Sequence, residues 1–406
     1  MPDAGGNGRP PAKSPIARFG PYPAPRPTST ANARMSSAVW SERADLAEAA
    51  LVSRHLRPLW ALPATELGVV GWPATLRERL FFSWNYWWQA HLVDCAIDAA
   101  NRAPTPLRRK RVATIVRSHR LRNLTGWTNR YYDDMAWLAL AVERAQRTLG
   151  IGHTHTALSA LERQLHDGWD AKVGAIPWRV GADYFNTPAN GPAAIALLRL
   201  GHLDRAAEIA DWLDATLRDE ETGLILDGIH LPSGEIERPV FTYCQGVVLG
   251  LETELLLRTG QANHLARVRR LLSAVEEHMT TRGVVHAGDG GDGGLFNGIL
   301  VRYLALLAVS LPGTDEKHQA IRFDAADIVR LSANAAWANR LEVEGEPLFG
   351  HDWSTAAQLP DASAGGAHFT EGGSVTSSRV PERDLSVQLS GWMLMEAAYQ
   401  VAAAGL

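Results

Sequence analysis

Apolar residues recur at spacings of three and four along almost the whole chain beyond residue 32, while the strict alternation of a half-buried strand is scarce. That periodicity confines the chain to an all-α fold. It predicts about twelve helices, over roughly 36–56, 84–101, 106–120, 132–148, 154–166, 189–200, 202–218, 241–258, 261–279, 294–310, 315–336 and 384–404. Short breaks such as Leu200-Gly201-His202 and Thr259-Gly260-Gln261 join two helices into a pair, with Gly supplying the left-handed C-cap. Between pairs the connections are long and rich in Gly, Trp, Asp and Pro: 121–131, 167–188, 219–240, 280–293 and 337–383. An up-down arrangement of pairs puts the short turns on one rim and the long loops on the other, so the spacing predicts an (α/α)6 toroid with one functional face. A solenoid of helix pairs fits the same count.

The composition belongs to a globular chain with a sizeable core: 46% of residues are hydrophobic and 21% charged. The expected organisation is a disordered Pro/Gly/Ala-rich tail over 1–32, followed by a single domain over 33–406. The 40 basic and 44 acidic residues balance to a formal charge of −4 and form no long block of one sign, so no electrostatic footprint for nucleic acid or an anionic membrane is evident. The basic run 108–111 reads as a solvated helix start. Cys95 and Cys244 both fall inside apolar helical patterns and read as buried thiols. The amino terminus lacks the apolar core of a secretion signal, and no stretch stands out as a membrane span. These features set the expectation of a cytoplasmic monomer, or of a secreted protein if the start site is misassigned.

Fourteen tryptophans are present, and Trp127, Trp169, Trp178, Trp337 and Trp353 fall in or beside the long loops. Indole faces stack on the apolar faces of sugar rings while neighbouring Asp, Asn and Gln bind hydroxyls, a combination that suits a carbohydrate cleft. One loop ends in Tyr131-Tyr132-Asp133-Asp134-Met135-Ala136-Trp137, which opens a helix. Retaining glycoside hydrolysis needs two carboxyl groups about 5–5.5 Å apart, one a nucleophile and one an acid/base. Adjacent residues in a first helical turn diverge by roughly 100° and stay within that reach. The helix amino terminus favours a carboxylate, and two close like charges raise the pKa of one partner, so the pair can hold one ionised and one protonated member. An Asp-Asp before an apolar run is also a common N-cap.

The residues around that pair resemble glycoside hydrolase family 76, the α-1,6-mannanase family, over about 84–392. The resemblance runs through Trp84-Asn85-Tyr86-Trp87-Trp88-Gln89-Ala90-His91, the Tyr-Tyr-Asp-Asp helix start, Gly174-Ala175-Ile176-Pro177-Trp178 and Thr187-Pro188-Ala189-Asn190-Gly191-Pro192. It continues through 222–229, Phe241-Thr242-Tyr243-Cys244-Gln245-Gly246, 290–296 and Phe349-Gly350-His351-Asp352-Trp353. It implies an (α/α)6 barrel and retaining chemistry on α-1,6-linked mannose, without metal or cofactor, in which Asp133 is the nucleophile and Asp134 the acid/base. Trp88, His91, Trp127, Tyr132, Trp178, Asn190, Asp227, Tyr243, Gln245, Asp289 and Asp292 are candidates for the substrate-binding wall on the long-loop rim. Two departures flank the site: Met135 stands where the family often carries a polar residue, and Cys244 where Asn is frequent.

The run Gly288-Asp289-Gly290-Gly291-Asp292-Gly293 matches G-x-G-x-x-G but leads from helix to helix, without the strands or the later acid of a dinucleotide fold, and without the spacing of a calcium loop. His153 and His155 lack further ligands for a metal. The partner expected is therefore an α-mannan or manno-oligosaccharide, cleaved or transferred to another sugar. A carbohydrate-binding toroid without turnover and an inverting glycosidase or sugar epimerase on the same fold are the rival readings.

Overall fold

The structure is a computed structural model. It describes residues 31–361, 365–370 and 373–406, apart from the side chains of 31–36 and 153. The expected tail lies outside the described residues except for its last two positions, and so does the side chain of His153.

Thirteen α-helices are present among the described residues: α1 (Ala31–His55), α2 (Leu76–Arg79), α3 (Tyr86–Arg102), α4 (Pro106–Arg122), α5 (Tyr132–Leu149), α6 (His155–Asp167), α7 (Thr187–Arg199), α8 (Leu203–Thr216), α9 (Thr242–Thr259), α10 (Ala262–Met279), α11 (Phe296–Ser310), α12 (Glu316–Asn339) and α13 (Leu385–Ala403). Apart from the single turn α2, they form the paired toroid expected from the spacing. Helices α3, α5, α7, α9, α11 and α13 pack side by side as a closed inner ring, and α4, α6, α8, α10, α12 and α1 back them from outside. The first long helix pairs with the last, α1 against α13, which closes the circle.

Hydrophobic pattern decides the layer. Inner helices are wrapped by neighbours and are buried nearly all round, as in α9 from Tyr243 to Leu256. Outer helices bury one stripe, as α10 does with Val268, Leu271, Leu272, Val275 and Met279. Small residues let the inner backbones approach closely: a Cβ added at Gly246 of α9 would lie 2.8 Å from the Leu300 Cα of α11. The run Gly291–Ser310 is long and apolar enough to cross a membrane, contrary to the reading of the sequence, but 67% of it is buried because it ends in the inner helix α11.

Local chemistry sets the ends. The Thr105 side chain accepts from the Arg108 N–H ahead of α4, with Pro106 at the first helical position. Asn186 accepts from the Ala189 N–H ahead of α7, so that helix starts at Thr187, two residues earlier than the periodicity indicates. Gly150 and Gly260 close α5 and α9 in the left-handed conformation, with φ of 61° and 67°. All six inner helices begin on the long-loop rim, so six positive helix ends converge on one face. The loops there carry small antiparallel sheets, the largest joining Tyr184–Asn186, Gly228–His230 and Glu235–Glu237.

Candidate active site

The first turn of α5 carries Asp133 and Asp134. Its N-cap is Tyr131, whose side chain makes no capping bond, so neither aspartate is spent as a cap. The loop after α6 folds back across this turn: the Tyr132 N–H donates to the Trp178 carbonyl at 2.9 Å and the Val180 N–H to the Arg130 carbonyl at 2.9 Å. That pairing delivers the Trp178 indole, which donates to Asp133 Oδ2 at 3.0 Å. Asp133 Oδ1 accepts from the Asp134 N–H at 2.9 Å. Asp134 Oδ2 accepts from Asn129 Nδ2 at 2.5 Å, and the Tyr131 N–H orients that amide by donating to its Oδ1 at 2.8 Å.

These surroundings treat the two carboxyls unequally. Burial raises the Asp133 pKa, while the donors from Asp134 and Trp178 hold it back. Burial also raises that of Asp134, the neighbouring Asp133 charge raises it further, and only Asn129 opposes, so Asp134 stands well above the usual carboxylate range. The hydrogen bonds thus favour the ionised form of Asp133, and the charge of Asp133 disfavours that of Asp134.

A third carboxylate faces the pair. Asp292 Oδ1 accepts from Trp87 Nε1 at 2.9 Å and Trp88 Nε1 at 2.8 Å, and its Oδ2 accepts from the Val375 N–H at 2.6 Å. Its charge acts on both catalytic candidates and raises them. Trp88 is fully buried, so it anchors Asp292 instead of stacking on a sugar; the partly exposed neighbour is Trp87. The loop that carries Asp292 has no open cradle for a nucleotide phosphate. A Cβ on Gly291 would lie 2.2 Å from the Val375 carbonyl oxygen, because the 373–378 segment runs over the glycines. The same segment reaches the catalytic side, where a Cβ on Gly373 would lie 2.7 Å from the Trp178 ring and 3.2 Å from the Tyr131 hydroxyl.

Asp227 sits where its Oδ2 accepts from the Tyr184 hydroxyl at 2.6 Å, while its buried Oδ1 has no partner among the described residues. Burial pushes its pKa up to about 6. Tyr243 stacks on Phe296 at 4.1 Å between ring centres, and Asp227, Asp133 and Asp292 all act on its hydroxyl, which burial has already made less acidic. His91 lies beneath Trp87 and Trp137, at 5.5 and 4.7 Å between ring centres; neither of its ring nitrogens has a hydrogen-bond partner among the described residues, and burial lowers its pKa to about 3. Trp127 is half-buried, and its carbonyl accepts from the Tyr86 hydroxyl at 2.5 Å.

Besides Trp88, four of the residues expected to touch substrate are placed otherwise. Asn190 is fully buried: its Oδ1 accepts from the Ile176 N–H at 2.8 Å, and its Nδ2 donates to the carbonyls of Ile176 and Asn186 at 2.7 and 2.8 Å. Gln245 does the same for Ile225 and Phe241, at 2.8 to 3.0 Å. With both side-chain N–H groups donated to backbone carbonyls and the amide oxygen accepting a backbone N–H, these buried amides hold loops in place instead of facing a substrate. Tyr132 turns toward the outer layer, against Gly168 at the end of α6, where a Cβ would come within 2.5 Å of its ring. Asp289 is exposed and turned onto the Gly290 N–H at 2.8 Å. Sequence reasoning missed Asn129, Trp87 and Tyr184. Asn129 stands two residues before an N-cap, where an amide that caps locally and an amide that reaches inward look alike in sequence.

The model of glycosyl hydrolase family 76 matches residues 67–389 of the chain. No curated protein matches it by sequence. Among solved structures, GH76A α-1,6-mannanase from Salegentibacter sp. HEL1_6 superposes with a TM-score of 0.74 at 28% identity, covering 89% of this chain and 99% of that one. An inactive variant of that enzyme, with two adjacent aspartates changed to asparagine, in complex with α-1,6-mannotriose, matches at 29% identity with the same score and coverage. The Lin0763 protein from Listeria innocua superposes with a TM-score of 0.73 at 27% identity, covering 88% and 96%. With the family pattern running through four-fifths of its length and the paired-helix ring beneath it, the chain belongs to glycosyl hydrolase family 76.

Proposed function

We propose that the protein hydrolyses α-1,6-mannosidic linkages with retention of configuration, using Asp133 as nucleophile and Asp134 as acid/base. The observation that carries this reading is the unequal pair in the first turn of α5: two donors stabilise ionised Asp133, while Asp134 keeps the shared proton. Asp133 attacks the anomeric carbon as Asp134 protonates the departing glycosidic oxygen, leaving a mannosyl ester on Asp133. Asp134, now ionised, takes a proton from water, and the water oxygen displaces the ester to return an α-configured product. Asp227 and Tyr243, with the exposed part of Trp87, supply the hydroxyl contacts and the apolar wall.

The similar Salegentibacter enzyme is inactive when two adjacent aspartates are replaced, and 133–134 is the sole Asp-Asp step in this chain. The α-1,6-mannotriose and α-1,6-mannotetraose bound by those inactive variants support the choice of linkage. The test uses α-1,6-, α-1,2- and α-1,3-linked manno-oligosaccharides, with proton NMR of the first-formed anomer. Cleavage of the α-1,6 substrates to the α anomer is expected, with a loss of about 10³-fold or more in Asp133→Ala and Asp134→Ala. Full activity in both variants removes the mechanism, a β product makes the enzyme inverting, and sugar binding without turnover in wild type makes it a lectin-like ring. Product longer than the substrate marks transfer, in which a sugar hydroxyl replaces water in the second step.

A further inference from the structure

The arginines that show no clustering in the sequence collect on one apolar surface in the fold. The turn α2 and the residues after it expose Leu76 (72%), Leu80 and Phe82 (65%), and the end of α4 and its loop expose Leu121 and Leu124 (77%). Trp60 joins the two: its indole Nε1 donates to the Leu80 carbonyl at 2.9 Å, and the Arg122 guanidinium lies 6.0 Å from its ring. Arg122 also donates to the Phe81 carbonyl at 2.8 Å, which ties α4 to the turn after α2. The patch is therefore continuous, although its parts lie some forty residues apart in the chain.

Its fringe is cationic. Arg77 stands over the Phe82 ring at 5.8 Å, Arg79 is exposed beside it, and Arg117 and Arg120 are exposed along the last turns of α4. Against these, 57–85 and 112–131 hold only two acids, Glu66 and Glu78. Glu78 is buried and spent on Arg383, with oxygen–nitrogen distances of 2.7 and 2.6 Å. Large apolar side chains held fully in water by a soluble fold mark an interaction surface. Here the most exposed ones, Leu124, Leu76 and Phe82, stand on two adjoining turns, and cations without exposed acids surround them, which suits the interface of an anionic bilayer: side chains enter the acyl boundary while guanidiniums meet phosphates.

We propose that this surface docks the protein on anionic lipid membranes. Its position gives the docking a use. The stretches that carry it lead into α3 and α5, whose first turns hold Trp87 and the catalytic pair, so the patch lies on the cleft's own rim. On the mannosidase reading above, the favoured substrate is then a mannosyl chain carried by a lipid in the same membrane.

The test is co-sedimentation of the full chain with vesicles containing phosphatidylglycerol and with pure phosphatidylcholine vesicles, at low and high salt. Binding to the anionic vesicles that weakens with salt is expected. A double variant, Leu76→Ser with Phe82→Ser, and a charge variant, Arg77→Glu with Arg79→Glu, should each lower the affinity about tenfold or more. Both should keep wild-type turnover of soluble manno-oligosaccharides, which certifies their fold. No sedimentation with anionic vesicles, or equal binding by both variants, overturns the proposal. So does a concentration-dependent dimer that the Leu76/Phe82 variant abolishes without any vesicle binding, since the surface then belongs to a second copy. Vesicle binding by a wild type that cleaves no mannoside keeps the docking and removes only the mannosidase reading.

Discussion

Asp133 and Asp134 are adjacent and chemically identical, and the proposed division of roles between them rests entirely on what surrounds them. Trp178 is the lever for Asp133, because an N–H donor to a carboxylate stabilises the ionised form. Trp178→Phe removes that donor and keeps the ring, so the Asp133 pKa rises further. The ionised nucleophile is then lost at higher pH than in wild type: the acidic limb of the kcat/KM profile moves up, and the plateau falls about tenfold. A profile with an unmoved acidic limb assigns the nucleophile elsewhere. The alkaline limb, set by the protonated Asp134, should stay in place, since Asn129 and not Trp178 is its hydrogen-bonding partner. The Asp-Asp helix start was legible in the sequence. The division of roles within it came only from the family resemblance, because the physical cause lies in loop donors brought in from residues 129 and 178.

At the scale of elements, the inner helices share a device that no local repeat announces. The fourth residue of α3, α7, α9 and α13 is an amide, Gln89, Asn190, Gln245 or Gln388, and each clamps both the N–H and the carbonyl of one loop residue: Gly68, Ile176, Ile225 or Phe349. Each thereby fastens a long loop to the rim at a fixed height, which is how loops of different length converge on one cleft. In α5 the same position is Met135, the departure beside the Asp-Asp pair, and there backbone pairing with 178–180 holds the loop instead. Replacing Gln245 with Leu strands a buried N–H and carbonyl at Ile225. The expected cost is about 2–4 kcal/mol in urea unfolding, with a raised KM because the loop carrying Asp227 loses its anchor. The amphipathic periods of the helices could be read directly. The clamps could not, because an amide near a helix start reads equally as a sugar contact, and the direction of the opposing loop is a tertiary fact.

At the scale of the whole molecule, the ring is joined through its interior by buried ion pairs. Arg144 of α5 and Arg302 of α11 both bind Asp94 and Asp98 of α3, with Arg144 at 2.5 Å from Asp94 and Arg302 at 2.8 Å from Asp98. Arg199 of α7 pairs with Glu254 of α9 at 2.5 Å, and Arg102 of α3 with Glu396 of α13 at 2.9 Å. These pairs link helices that are distant in sequence, and a half-dismantled set is costly. Arg302→Met leaves two buried aspartates short of a partner, so we expect a loss of about 3–5 kcal/mol in thermal or urea unfolding. The deficit should shrink at low pH, where Asp94 can be protonated: its pairing with the arginines holds it far below the usual carboxylate range in wild type, and stability drawn from that pairing fades as pH falls. An undiminished deficit at low pH would assign the loss to packing.

The sequence by itself determined the helices, their pairing and the face that carries the long loops. All of these are written in short-range spacing, which a helix converts into geometry without help from distant residues. Tertiary structure alone decided which amides clamp loops, which tryptophan of the 87–88 pair stays at the cleft and which carboxylate is surrounded by donors. It also gathered scattered arginines and leucines into one surface. Those outcomes depend on contacts between segments tens to hundreds of residues apart, and closing a ring through α1 and α13 fixes them all together.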